Sequence, residues 1–210
     1  LGKEASPEEI EIMKPDAVII AAGGEQVKPD IKGIDNKIVV SNAALHKQLK
    51  GYLRFMPPGL LRYLTKFYLP IGKRVIIIGG SLMGCELAEF FTMRGRIVTI
   101  IDKDERMGRN MVDVIQGYLF AWFKKKGVIM IPGCKDIEIT PSGVMIVTAG
   151  GEKKALQADT VVTALPLAPN MALYESLKGK VPEVYAVGDC KDPLLIADAI
   201  GTGMQAARGI

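Results

Sequence analysis

The sequence has little cysteine, a single histidine and no long apolar run. Its three cysteines, Cys85, Cys134 and Cys190, lie far apart and form neither a C-x-x-C pair nor a cluster with the spacing of metal ligands. We therefore expect no metal or iron–sulfur site in this chain, and so few cysteines favour a reducing, cytoplasmic location. The one histidine, His46, lies on a predicted helix over Asn42–Leu49 with no acid or nucleophile beside it, which predicts a surface or capping residue.

The composition favours neither a membrane nor a nucleic acid as partner. No apolar stretch approaches the roughly 20 residues that span a bilayer. The net charge is +4, and the basic residues are interspersed with 23 acidic ones rather than gathered in a block. The segment Leu60–Leu69 predicts an amphipathic helix, which favours docking on a missing domain or a partner over a membrane surface. Because the chain begins at Leu1 without a targeting pattern, we expect it to be part of a longer protein.

Apolar runs separated by glycine turns predict an α/β fold with a parallel, Rossmann-like sheet. A branched apolar run at Arg74–Ile78 ends in glycines, a helical pattern follows at Leu82–Met93, and a second run covers Ile97–Ile101. Strand, glycine turn, helix and strand form a βαβ unit, whose crossover makes the two strands parallel. A helix over Val112–Lys126 and a strand over Val128–Ile131 extend the same sheet.

The rest of the chain predicts an antiparallel insertion and a second, smaller part. Short segments near Ile137, at Val144–Thr148 and at Lys153–Leu156 are separated by Ser-Gly and Gly-Gly hairpin signals. They predict a β-meander before a strand at Thr160–Ala164. Nearer the two ends, the patterns predict a helix at Pro7–Met13, strands at Ala17–Ala22 and Val184–Val187, and a helix from Leu195 past Ala207.

A glycine-rich turn between the predicted strand and helix is the strongest chemical signal. It reads Gly79-Gly80-Ser81-Leu82-Met83-Gly84. Gly79 permits a tight turn, amides at the start of the helix can bind a diphosphate, and Gly84 lets helix and strand pack closely. Ser81 replaces the middle glycine of the dinucleotide fingerprint, and its hydroxyl can itself donate to a phosphate. The alternative is a glycine-rich turn that binds no ligand.

An aspartate after the next strand extends this signal to a whole dinucleotide. Asp102 lies close to the spacing of about 20 residues at which an acidic group meets the adenosine ribose. A carboxylate there accepts from the ribose hydroxyls and repels a 2′-phosphate, so NADH is expected in preference to NADPH. Lys103 and Arg106 weaken that preference, and an exposed turn residue is the alternative for Asp102.

Four segments, in order along the chain, resemble parts of one family of flavoproteins. Gly80–Phe90 resembles the nicotinamide-domain helix of flavoproteins with two dinucleotide-binding domains, and Lys14–Gly24 is similar to the strand and turn that lead out of their flavin domain. Val184–Cys190 resembles their returning flavin-binding strand, and the helix with Asp198 and Ala199 resembles the one that faces the flavin ring. The likeness covers nearly the whole chain and is nearest to NADH:flavin oxidoreductases of the 2-enoate reductase and 2,4-dienoyl-CoA reductase type.

This resemblance implies a three-layer fold that binds NAD(H) and part of an FAD site. It implies an NAD(H)-binding domain over 73–170, a connecting helix and insert over 41–72, and a partial flavin domain over 1–40 and 180–210. The implied NAD(H) contacts are Gly79, Gly80, Ser81, Leu82, Met83, Gly84, Glu86, Asp102, Lys103 and Ala164. The implied FAD contacts are Ala22, Gly23, Gly24, Gly188, Asp189, Asp198 and Ala199. Glu86 would orient the nicotinamide, the alternative being a solvated glutamate.

The family also implies partners that this sequence does not contain. In its whole enzymes, hydride passes from NADH to FAD, and electrons continue through an iron–sulfur cluster to FMN in a barrel, where an activated C=C bond of an enoate or enoyl-CoA is reduced. We expect the barrel and the missing flavin segments as partners. Cys85 has no cysteine three residues away, so we expect it to be a packing residue. We expect the same of Cys190. Two other interpretations remain: a non-catalytic adenine-nucleotide-binding domain, as in trimethylamine dehydrogenase-like proteins, or a piece of a membrane-associated NADH dehydrogenase.

Overall fold

The computed structural model describes residues 2–26, 28–41, 44–45, 57, 59–60, 65 and 69–210. The chain divides into two compact units, Pro29–Leu165 and Leu1–Lys28 with Pro166–Ile210. The predicted helix over Asn42–Leu49 with His46, and the predicted amphipathic segment Leu60–Leu69, fall largely outside the described residues. Within the described part of the chain, no helix combines the length and apolarity that crossing a bilayer requires.

The larger unit is built on a five-stranded sheet whose neighbouring strands are all parallel. In spatial order the strands are β2 (Val39–Ser41), β9 (Thr160–Thr163), β3 (Arg74–Ile78), β4 (Ile97–Ile101) and β5 (Ile129–Ile131). Ile78 is in register with Ile101 on one side and with Thr163 on the other, so three strands end at the same edge. The strand order reverses at β3, and parallel sheets bind ligands beyond the carboxyl ends of strands at such a reversal.

Strand β3 is buried on both faces because it lies between two different layers. On one face Val75 and Ile77 share a buried cluster with Phe91 of the helical layer. The helices of that layer are α2 (Leu82–Thr92) and α3 (Asp113–Lys126). Ile76 and Ile78 belong to the opposite cluster. Side chains alternate between the faces of a strand, so one continuous apolar run packs against both layers.

The opposite cluster is completed by the predicted meander. Its antiparallel strands are β6 (Asp136–Thr140), β7 (Gly143–Val147) and β8 (Lys153–Gln157). Ile137 and Ile139 of β6, with Val144 and Ile146 of β7, are buried toward β3 and β9. The predicted three-layer α/β fold with an antiparallel meander is therefore confirmed.

The smaller unit contains two parallel strands with helices around them. They are α1 (Pro7–Met13), β1 (Ala17–Ile20), α4 (Ala172–Leu177), β10 (Glu183–Ala186), a 3₁₀ turn (Gly188–Cys190) and α5 (Ile196–Gly209). Ile20, Leu177, Val181 and Cys190 form its buried core. The Cys190 thiol donates to the Ile20 carbonyl oxygen at 3.0 Å, which joins the turn to β1.

An ion pair fastens the entrance of β3 to that of β9. The Arg74 amide donates to Asp159 Oδ2 at 2.8 Å, and Arg74 Nε donates to Asp159 Oδ1 at 3.1 Å. The hydrogen bonds from the Arg74 side chain lower the pKa of Asp159 to about 2. Because this folded-state pKa lies below the value in an unfolded chain, the stabilisation is present above that unfolded value and is lost as the pH falls toward about 2.

We expect Asp159→Asn to lower the denaturant midpoint of the chain at neutral pH. We also expect the variant to lose less stability than the wild type between neutral and acidic pH. The reason is that the amide keeps the size of the side chain but not the charge that Arg74 binds. Denaturant titrations at neutral and acidic pH measure both effects. Asp136→Asn, at an exposed position of the meander, should keep the wild-type pH dependence; the same reduced loss in both variants would contradict the assignment.

Candidate functional site

A tight turn joins β3 to α2, and its first position accepts only glycine. Gly79 has a φ of +111°, and its amide donates to the Ile101 carbonyl oxygen at 2.9 Å. A Cβ atom here would overlap the Ala164 carbonyl oxygen, just after β9. A side chain is thus excluded both by the backbone conformation and by the neighbouring strand.

A second glycine lets α2 begin directly against this turn. Gly84 is buried in the first turn of α2, and a Cβ atom there would overlap the Gly79 carbonyl oxygen. The close approach of helix and strand matches the role of the last glycine in a dinucleotide-binding βαβ unit.

Some of the amides around the turn are bonded within the chain, while the Ser81 hydroxyl is not used by the helix. The Gly80 amide donates to Asp102 Oδ2 at 2.6 Å, and the Leu82 amide donates to the Arg109 carbonyl oxygen at 2.9 Å. Ser81 is the N-cap residue of α2, and its side chain makes no capping hydrogen bond. This hydroxyl lies at the positive end of the helix dipole, where a phosphate oxygen is stabilised.

Asp102 is fixed at the end of β4 by backbone amides. Only 7% of the residue is exposed, so it is not an exposed turn residue. Its Oδ2 accepts from the Gly80 amide and its Oδ1 from the Asp104 amide at 3.0 Å. A carboxylate offers about four acceptor positions, so some remain for hydroxyl groups of a ligand.

A basic side chain that the sequence analysis missed lies beside this carboxylate. Arg109 Nη1 is 2.8 Å from Asp104 Oδ2, and Nη2 is 3.8 Å from Asp102 Oδ2. Arg109 reaches this position because its loop folds back over the glycine turn, with the Gly108 amide donating to the Gly80 carbonyl oxygen at 2.6 Å. The loop has no periodic pattern, so the sequence carries no signal for the contact.

A pocket of about 240 Å³ opens at the carboxyl ends of β3 and β4. It is lined by Pro29, Asp30, Ile31, Ile78, Gly79, Asp102, Lys103, Ile137 and Leu165. The structure thus brings together Gly79, Asp102 and Lys103 of the predicted NAD(H) contacts. Ala164 is buried, and its amide donates to the Ile78 carbonyl oxygen at 2.8 Å. Gly80, Ser81, Leu82, Met83 and Gly84 form the turn and the first turn of α2 rather than the pocket wall.

Glu86 lies apart from this pocket. It is exposed on α2 and lines a groove of about 530 Å³ between α2 and α3, together with Glu89, Tyr118 and Trp122. The two acidic side chains face a largely apolar wall there. The predicted contact of Glu86 with a nicotinamide stays a prediction.

The smaller unit has its own pocket, of about 410 Å³, beside the 3₁₀ turn. It is lined by Ala21, Gly23, Val187, Gly188, Asp189, Leu194, Ile196, Ala199 and Ile200. Gly188 has a φ of +63°, and its amide donates to Thr202 Oγ1 of α5 at 2.9 Å, which brings the turn close to the helix. Four of the predicted FAD contacts, Gly23, Gly188, Asp189 and Ala199, meet in this pocket.

The other three predicted FAD contacts lie outside the pocket wall. Asp198 Oδ2 accepts from the Leu195 amide at 3.0 Å and so caps the start of α5. Gly24 packs against Leu167 and Ala168, where a Cβ atom would lie 2.9 Å from the Leu167 Cβ. Ala22 is exposed.

The cysteines are unsuited to nucleophilic or dithiol chemistry. All three are free and buried. Burial raises the pKa of the Cys85 thiol to about 11, so it stays protonated at neutral pH, and burial also raises the pKa of Cys134.

Comparisons with known proteins agree with this fold. The family model described as "Pyridine nucleotide-disulphide oxidoreductase" matches residues 2–208. An NADH oxidase of Thermoanaerobacter brockii is 30% identical over 207 residues, covering 98% of this chain and 30% of that protein. A cinnamate reductase of Clostridium sporogenes is 24% identical over 213 residues, covering 100% of this chain and 29% of that protein. A solved 2-naphthoyl-CoA reductase complex is 28% identical with a TM-score of 0.79, covering 100% of this chain and 29% of that one. The chain thus spans less than a third of the length of each of these proteins.

Proposed function

The chain belongs to the pyridine nucleotide-disulphide oxidoreductase family, whose members bind NAD(H) and FAD, and we propose that it is the NADH-binding module of such a flavoprotein together with part of its flavin site. The observation that carries this proposal is the meeting of Gly79 and the buried Asp102 in one pocket at the strand reversal. A turn closed to side chains beside an oriented carboxylate fits a diphosphate joined to a ribose.

The residues around the turn have separate tasks in this proposal. Ser81, whose hydroxyl makes no capping hydrogen bond, binds the diphosphate at the positive end of the α2 dipole. Asp102 accepts from the ribose hydroxyls while Gly80 holds it in place. Its negative charge disfavours a 2′-phosphate, and Arg109, held by Asp104, moderates that charge.

The pocket of the smaller unit is the proposed flavin part. Gly23, Gly188 and Ala199 leave room for a flat ring or a chain of ribityl and phosphate oxygens, and Asp189 accepts from their hydroxyls. When both cofactors are bound, the nicotinamide supplies a hydride and the flavin accepts it. Glu86 would orient the nicotinamide from the exposed face of α2.

The substrate of the whole protein is proposed to be a molecule with an activated C=C bond, an enoate or enoyl-CoA. The names of a cinnamate reductase and a 2-naphthoyl-CoA reductase among the similar proteins support this class. The FMN barrel, the iron–sulfur cluster and a cytoplasmic location belong to the same proposal. The chain's own task is to bind and orient the nicotinamide cofactor.

One observation favours the second candidate, a domain that binds only an adenine nucleotide. The pocket of about 240 Å³ joins the proposed diphosphate and ribose groups, whereas Glu86 lines a different groove. A site that binds an adenine nucleotide for structural reasons needs the groups for the diphosphate and the ribose, but it does not need a residue that orients a nicotinamide.

Calorimetry separates the two candidates. For the NADH module we expect a Kd for NADH in the micromolar range, about −8 kcal/mol, and weaker binding of ADP, because the nicotinamide half adds contacts. Glu86→Gln should weaken NADH and leave ADP unchanged. Tighter binding of ADP than of NADH, with no effect of the Glu86 variant, would support the adenine-nucleotide domain instead.

A further inference from the structure

The outer face of α3 is apolar although nothing in the described chain covers it. Val114 is 68% exposed and Tyr118 77% exposed. Gly117 and Ala121 are exposed between and beyond them. Positions 114, 117, 118 and 121 follow the helical repeat and lie on one face. Tyr118 lies at the edge of this face and also lines the groove beside Glu86, together with Ile115 and Trp122.

Gly117 has no explanation among the residues that the structure describes. It lies inside a helix of 14 residues, where glycine is less favourable than alanine. The φ of Gly117 is not positive, and a Cβ atom there would meet nothing within 4 Å. Neither the backbone nor the packing requires glycine at this position. A second helix crossing closely at Gly117 would require it.

The charges along α3 would complement those of a second copy of the helix packed antiparallel to it. Asp113 lies in the first turn, with a side chain that is 86% exposed and 3.4 Å from Arg106 Nη2, and Lys124, Lys125 and Lys126 lie in the last turn. Asp113 and Lys125 are about 18 Å apart along the axis, given the rise per residue. If two copies of α3 pack antiparallel, each Asp113 meets a Lys125, and the helix dipoles also oppose favourably.

We propose that two copies of this chain associate through antiparallel α3 helices, with the two-fold axis near Leu119. About that axis Gly117 of one copy lies opposite Ala121 of the other, so the two backbones approach at both small residues. Val114 and Tyr118 flank this crossing, and Asp113 pairs with Lys125 at each end. One helix carries both halves of the contact, as an isologous interface requires. The proposal uses no residue of the pocket that holds Gly79 and Asp102.

Sedimentation equilibrium of the chain tests the pairing through the charges. We expect a wild-type dimer, and we expect Asp113→Lys or Lys125→Asp alone to raise the dimer Kd by about tenfold, because each places like charges together at both ends. An equimolar mixture of the two variants should associate again as a heterodimer, in which both ends carry opposite charges. A monomeric wild-type chain at about 1 mM, near the weak limit of specific association, would overturn the proposal. So would a mixture no more associated than its components.

Variants on the exposed face of α3 test the helix crossing itself. Each variant must keep the circular dichroism spectrum of the wild-type chain. Gly117→Leu should separate the helices and raise the dimer Kd, and Tyr118→Glu should do the same. Ile12→Glu is the matched control, because Ile12 is equally exposed but lies on α1. An equal effect of Ile12→Glu and Tyr118→Glu would indicate non-specific apolar association and would overturn the proposal.

Discussion

Gly79→Ala is expected to destabilise the chain by about 2–4 kcal/mol and to raise the Kd for NADH by at least about 30-fold. Two effects add at this position. The φ of +111° is one that side chains rarely adopt, and the new methyl group would overlap the Ala164 carbonyl oxygen. The turn must therefore move, and with it the start of α2 and the Gly80 amide that holds Asp102.

Chemical denaturation and calorimetry measure the two losses separately. Gly127→Ala is the matched control: Gly127 ends α3 with a φ of +76°, and a Cβ atom there meets nothing within 4 Å. It should lower stability by about 1 kcal/mol and leave NADH affinity unchanged. If Gly79→Ala bound NADH as tightly as Gly127→Ala does, the turn would not be the diphosphate site.

The elements of the fold that could be predicted are those in which the apolar residues form a local pattern, either a short run or a helical repeat. The strands Arg74–Ile78 and Ile97–Ile101 have the predicted bounds, because each is a short apolar run closed by glycine, arginine or aspartate. The helices Leu82–Thr92 and Asp113–Lys126 differ from prediction by one residue at one end. Their apolar faces repeat every three to four residues, and this pattern survives without knowledge of the neighbours.

The missed elements depend on distant residues instead. Val39–Ser41 is only three residues long and forms a strand because it pairs with Val161–Thr163. Residues 29–40 cluster with the larger unit, whereas the resemblance to the flavoprotein family implied a place in the partial flavin domain. The short helix Ala172–Leu177 was likewise not predicted, since six residues give too little periodicity.

The candidate site was predictable in its chemistry and less so in its geometry. The spacing of Gly79 and Asp102 indicated a shared pocket, since both follow neighbouring parallel strands. No spacing rule places Arg109 near Asp102, because the loop between them is held by backbone hydrogen bonds to the glycine turn. The residue type indicates what a side chain can bind. The position of a side chain on a loop depends on the conformation of that loop, which has no periodic sequence pattern.

Asp102→Asn is expected to raise the Kd for NADH by about tenfold and that for NADPH by less, so that the preference for NADH narrows. The carboxylate's repulsion of a 2′-phosphate disappears with its charge, whereas both nucleotides lose its hydrogen bonds to the ribose. The variant also has a structural effect. An amide can accept from either the Gly80 or the Asp104 amide, but its NH₂ group opposes the other, which lowers stability by about 1–3 kcal/mol.

Because Asp102→Asn also affects folding, the ratio of the two nucleotide affinities is the decisive quantity. A loosened turn weakens NADH and NADPH alike, since both contain the same diphosphate; only the removed charge distinguishes them. Asp30→Asn is the matched control, because this exposed aspartate lines the same pocket and holds no amide of the glycine turn in the structure. We expect it to change the ratio by less than about threefold. Equal losses of NADH and NADPH in Asp102→Asn would mean that the carboxylate shapes the turn without touching the ribose.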